Sequence, residues 1–154
     1  MSGGRIRVIG IGQPSAGDDG AGIAVARALR EHRVPAGVEI HEITDTTRLV
    51  ELLEGIPRAI LIDAVVADRA PGNLLCLTPE ELVTQRVTPL SSHGAGVAEA
   101  IRLARTLAPA TVAATISLIG LTIAPPMHCT RHLSPAVSAA LPRAVTLVRR
   151  LLDG

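Results

Sequence analysis

Three places in the chain hold residues equipped for chemistry. The first is the run GIGQPSAGDDGAG at residues 10–22, where a glycine-rich loop leads to the paired acids Asp18 and Asp19, just ahead of a helix-periodic segment. The second is Asp63, a single carboxylate within the apolar run AILIDAV at residues 59–65. The third is His93, within SSHGAG at residues 91–96. Two hard carboxylates and one imidazole make a ligand set for a divalent transition metal that leaves positions open for substrate or water. Each also has an ordinary structural reading. Asp18 can cap the following helix, and both acids suit the positive end of its dipole. Asp63 can bond loop amides at a strand end, and His93 can cap or pack. A carboxylate in an otherwise apolar strand nevertheless needs a partner, a metal or water, because burial alone carries a large penalty.

A rival cluster is MHCTRH at residues 127–132, where His128, Cys129 and His132 have ligand chemistry. A His-x3-His spacing puts both imidazoles on one face of a helix. Pro125 and Pro126 precede it, so a loop before the Ser134 helix is the simpler reading, with substrate contact a further role open to it. No nucleophile stands out. Cys76 falls in a strand, and Ser91 and Ser92 adjoin His93 in sequence, whereas a triad is defined by spatial geometry. The opening of the glycine loop is close to a dinucleotide fingerprint, but Ser15 stands where the third glycine of GxGxxG belongs.

The elements that must position these residues alternate between strand and helix. Residues 5–12 (RIRVIGIG) form a β-branched run closed by glycine, and residues 21–31 put Ala21, Ala24, Val25, Ala28 and Leu29 on one helical face. Residues 38–43 alternate as a strand with one wetter face, and a short helix follows near residues 47–54. The run at 59–65 reads as a strand covered on both faces. Residues 73–77 are a further strand, after which Thr78, Pro79 and Glu81 stand as N-cap, first helical residue and capping-box partner. Residues 94–107 read as a helix and 111–121 as the longest strand. Ser134 and Pro135 open a last helix to about Leu152, with a kink or break expected at Pro142. This order predicts a three-layer α/β/α sandwich around a twisted, mostly parallel sheet of about five strands, in one domain spanning residues 1–154. Ligands in such folds sit beyond the carboxyl ends of the strands, where Asp19, Asp63 and His93 all fall.

Composition narrows the function further. The 154 residues carry 15 basic and 14 acidic side chains, a net charge of +1, which argues against a nucleic-acid partner. All the basic residues are Arg, and Phe, Tyr and Trp are absent. Schiff-base chemistry, a P-loop lysine and aromatic stacking platforms are thereby excluded. Two cysteines and no secretory signal point to a cytoplasmic protein. No apolar run approaches the roughly 18 residues of a membrane span, so membrane insertion is not expected.

In order along the chain, GIGQPSAGDDGAG, the IDA of Ile62 to Ala64, LTPEEL at 77–82, SSHGAG at 91–96 and LSPAV at 133–137 resemble the nickel-iron hydrogenase maturation endopeptidase family. The similarity covers nearly the whole chain. It implies an enzyme that removes a C-terminal peptide from the precursor of the hydrogenase large subunit after nickel insertion, and Asp19, Asp63 and His93 as its metal-contacting and catalytic residues. Nickel is then supplied by the precursor, so that only a loaded substrate is cut. In the alternative role, a metal held by the enzyme polarises the scissile carbonyl or activates water. A non-proteolytic nickel-binding maturation chaperone would share the three ligands. Two positions depart from the family pattern: Gln13 stands where Asn is usual, and Asp19 where Glu is frequent. Neither change removes a potential ligand.

Overall fold

An apolar run interrupted by one acid forms a central strand of the sheet. The computed structural model describes residues 4–85, 87–89, 96–124 and 132–154. Its elements in chain order are β1 (Ile6–Ile11), α1 (Ala21–Arg30), β2 (Val38–Ile43), α2 (Leu49–Leu52), β3 (Arg58–Val66), β4 (Leu74–Leu77), α3 (Pro79–Thr84), β5 (Thr88–Pro89), α4 (Val97–Leu107), β6 (Thr115–Thr122) and α5 (Pro135–Asp153). Five strands run in the order β2-β1-β3-β6-β4, and β5 pairs separately with β3. β2, β1, β3 and β6 are mutually parallel, whereas β4 is antiparallel to β6. The expected mostly parallel α/β sheet with helices on its faces is present.

Strand alternation divides the aliphatic core into two layers. Ile9, Leu61, Val65 and Leu118 point to the face covered by α2, α3 and α4, where Leu49, Leu82 and Ile101 complete one cluster. Val8, Ile60, Ile62 and Ile119 point to the opposite face, against Val25 and Leu29 of α1 and Val137 and Ala144 of α5. The capping box read from LTPEEL is formed: Glu81 N donates to Thr78 Oγ1 at 3.2 Å, and Thr78 N donates to Glu81 Oε1 at 3.1 Å.

Some boundaries differ from the sequence reading. β6 begins at Thr115 rather than 111, because the residues before it pair with the turn ahead of β3 instead of joining the sheet. Gly55 N donates to Thr111 O at 2.8 Å, and Ala113 N donates to Leu53 O at 2.7 Å. α5 is continuous through Pro142, so the expected break is absent. Pro142 and Ser138, one turn earlier, are both exposed, so water can reach the carbonyl that proline leaves without its helical donor. The helix read over residues 94–107 is α4 from Val97, with Gly94 and Ala95 outside the described residues. Among the described residues, no helix is long and apolar enough to cross a membrane.

α1 approaches the sheet backbone to backbone. A Cβ on Gly22 would lie 2.2 Å from Ile62 O and 2.5 Å from Ile11 O, and one on Gly10 would lie 2.5 Å from Gly22 O. Glycine at these crossing points lets the helix rest directly on the end of β1 and the middle of β3. Gly22→Ala should therefore destabilise the fold by about 2–3 kcal/mol, in the upper part of the overpacking range. Urea unfolding checks this, and an unchanged midpoint would contradict so close a contact.

Candidate functional site at the carboxyl rim of the sheet

The glycine-rich loop is built to return Asp19 to the end of β1. After Ile11 the chain turns at Gly12, whose φ of +151° is a conformation that L side chains rarely adopt. Gly12 N donates to Ile43 O at 3.1 Å, joining the loop to the end of β2. A Cβ on Gly12 would lie 1.9 Å from Asp19 O, so the returning chain occupies the space a side chain would fill. Asp18 and Asp19 lie in a single 3-10 turn, Gly17–Gly20, immediately before α1. Gln13 Nε2 donates to Thr44 O, just past the end of β2, at 3.4 Å.

The two acids have separate surroundings. Asp18 does not cap α1, whose N-cap is Gly20 with no side-chain cap. Instead, Asp18 Oδ1 accepts the backbone N–H of Ser134 at 2.7 Å, at the start of α5. Asp19 is half-buried, with its Oδ1 shielded from solvent, and its turn packs on β3.

Asp63 is 0% exposed. Along one edge of β3, pairing with β1 ends at Gly10–Ile62 and pairing with β5 resumes at Val65–Pro89. Asp63 and Ala64 fall in the interval between them. On the other edge, Asp63 sits in register with Gly120 of β6. Gly120 keeps its position clear of a side chain, since a Cβ there would lie 2.8 Å from Val65 Cγ2. Strand alternation puts Asp63 on the face of Leu61 and Val65, the layer that α4 covers. Gly120 was not singled out from sequence, and Ser134 only as the residue that opens α5. The signal for Gly120 was present: an isolated glycine inside an apolar strand marks close approach.

The turn that carries Asp19 packs on β3, the strand that carries Asp63. His93 lies outside the described residues, as do Ser91, Ser92, His128 and Cys129. Among the described residues there is no cluster of three or more His, Cys, Asp or Glu arranged to hold a metal. His132 is exposed and outside any helix, so it does not present the helical face that the His-x3-His reading requires. Two carboxylates at one rim are anionic oxygen donors, and this chemistry fits a divalent cation. Cys76 is poorly suited to nucleophilic attack, because partial burial, and then the negative charge of Glu81, push its thiol above the ordinary cysteine range.

Comparison with known proteins agrees with this architecture. No curated protein sequence matches the chain. Among solved structures, the hydrogenase maturating endopeptidase HybD from E. coli is 25% identical with a TM-score of 0.81, over 97% of this chain and 92% of that one. The [NiFe] hydrogenase maturation protease HybD from Thermococcus kodakarensis is 25% identical with a TM-score of 0.75, over 96% and 99%. A hydrogenase 2 maturation peptidase from a Thaumarchaeota archaeon is 27% identical with a TM-score of 0.69, over 96% and 97%. A family model described as hydrogenase maturation protease matches residues 23–151, from within α1 to within α5, a span that includes Asp63. The chain belongs to the hydrogenase maturation protease family.

Proposed function

We propose that this protein is an endopeptidase that removes a C-terminal peptide from the nickel-loaded precursor of a nickel-iron hydrogenase large subunit. The observation that supports the reading is the packing of the turn that bears Asp19 on β3, the strand that carries the buried Asp63, in a chain of this family. In this reading residues 1–154 act as one domain in the cytoplasm, and nickel arrives as part of the substrate.

The chain's own residues divide the work. Asp63 is fixed by its strand and supplies a carboxylate from inside the sheet. Asp19 supplies a second from the adjoining turn, and His93 adds an imidazole from the segment leading into α4. A cation meeting carboxylates in so water-poor a setting is attracted more strongly than at an open surface. Contact by all three would orient the precursor so that its scissile bond lies beside the rim, coupling cleavage to the presence of nickel. The alternative, a non-proteolytic nickel-binding maturation chaperone, would leave the precursor's mass unchanged.

The direct test is mass spectrometry of a C-terminally extended large-subunit precursor incubated with the enzyme, with and without nickel loading. Loss of a C-terminal peptide from the loaded form alone is expected. Cleavage independent of nickel would overturn nickel recognition, and an unchanged mass of a verified cognate, loaded precursor would overturn proteolysis.

Asp63→Asn preserves side-chain volume and removes the charge. It should lower processing by about 100-fold or more, at or beyond the upper end of losses caused by disturbing groups that merely support metal ligands, while circular dichroism stays native. Processing at the normal rate would remove Asp63 from the mechanism. Cys76→Ser should process the precursor within about two-fold of the parent rate, as surface substitutions away from a site generally do. A large loss would instead assign that thiol a part in the reaction.

A further inference from the structure

The paired acids do different work, and the first of them ties together elements far apart in sequence. Asp18 Oδ1 accepts from the amide of Ser134, a residue 116 positions later, at 2.7 Å. That amide belongs to the N-cap of α5, a helix of 19 residues, and Ser134 Oγ in turn accepts from Val137 N. α5 is held by its apolar face: Val137, Ala140 and Ala144 are buried in the same cluster as Ala21, Val25 and Leu29 of α1. Leu133, beside Ser134, also lines one cleft with Pro14, Gly17 and Gly20 of the returning loop. The bond to Asp18 is short and has an acidic acceptor, the class of hydrogen bond that constrains geometry most strongly.

We propose that Asp18 is a positioning residue for Asp19. By anchoring the Gly17–Gly20 turn to the start of α5, it holds the neighbouring carboxylate at the carboxyl rim, where precursor nickel is recognised. Gly12 fixes the other side of the turn by close backbone approach to Asp19 O. The turn is thus held between the end of β1 and the last helix. This inference rests on the reading of Asp19 given under Proposed function.

The test uses the full-length protein, with two readouts: calorimetric binding of free Ni²⁺, and kcat/KM for the nickel-loaded precursor. Asp18→Ala should weaken both by about ten-fold or more, on the scale of losing a group that orients a metal ligand. Asp18→Asn keeps an oxygen acceptor in place and should restore both to within about three-fold of the parent. Ser134→Pro removes the donor at a position whose φ of −64° already suits proline. It should match Asp18→Ala, and the double variant should be no worse than either single one. Ser134→Ala keeps the amide and loses only the hydroxyl, separating loss of the Val137 cap from loss of the clasp.

Parent-like behaviour of Asp18→Ala would overturn the proposal, as would equal losses in Asp18→Asn and Asp18→Ala, or multiplying losses in the double variant. Asp19→Asn separates this inference from the reading beneath it. If Asp19→Asn is impaired and Asp18→Ala is not, the positioning role alone fails. If Asp19→Asn equals the parent in both readouts, the assignment of Asp19 fails, and its positioning by Asp18 fails with it.

Discussion

The closest constraint in this fold is the contact of α1 with the carboxyl end of β1 and the middle of β3. Gly22 touches the carbonyls of Ile11 and Ile62, and Gly10 of β1 lies under the same turn of helix. No side chain separates the layers at this point, so the position of the helix start is set by backbone geometry. The turn bearing Asp18 and Asp19 immediately precedes that helix and inherits its placement. A larger residue at Gly22 would lift the helix and carry the acids away from Asp63.

An entirely aliphatic interior is consistent with this geometry. Leu, Ile, Val and Ala fill both faces of the sheet without an aromatic ring, and layers built from such small and branched side chains can approach closely. Charge is kept at the periphery. Arg27 and Arg30 of α1 both pair with Glu42 at the edge strand β2, and Arg105 of α4 pairs with Glu80 of α3. Such exposed pairs contribute little to stability. Asp63, by contrast, is a carboxylate in the middle of the apolar sheet.

Much of this was legible in the chain because the signals were local. The capping box at Thr78 and Glu81, the apolar period of α1 and the lone acid within AILIDAV each follow from a few consecutive residues. What escaped depends on distant partners. β5 is two residues long and has no periodicity to read, yet its pairing with Val65 and Val66 defines the interval holding Asp63. Thr111 to Ala113 carry strand-forming residues, but their hydrogen bonds go to Leu53 and Gly55. Asp18 has the sequence context of a helix cap, and its oxygen is taken by an amide from the far end of the chain. The direction of β4 was likewise undetermined, since its neighbour β6 follows it by nearly forty residues.

Under the proposed function, Asp19, Asp63 and His93 are the residues that meet nickel. The most direct test is an anomalous difference map at the nickel absorption edge, from crystals of the enzyme equilibrated with Ni²⁺. A peak coordinated by the carboxylates of Asp19 and Asp63 and the imidazole of His93 is expected. A dominant peak at His128, Cys129 and His132, with none at the rim, would contradict it.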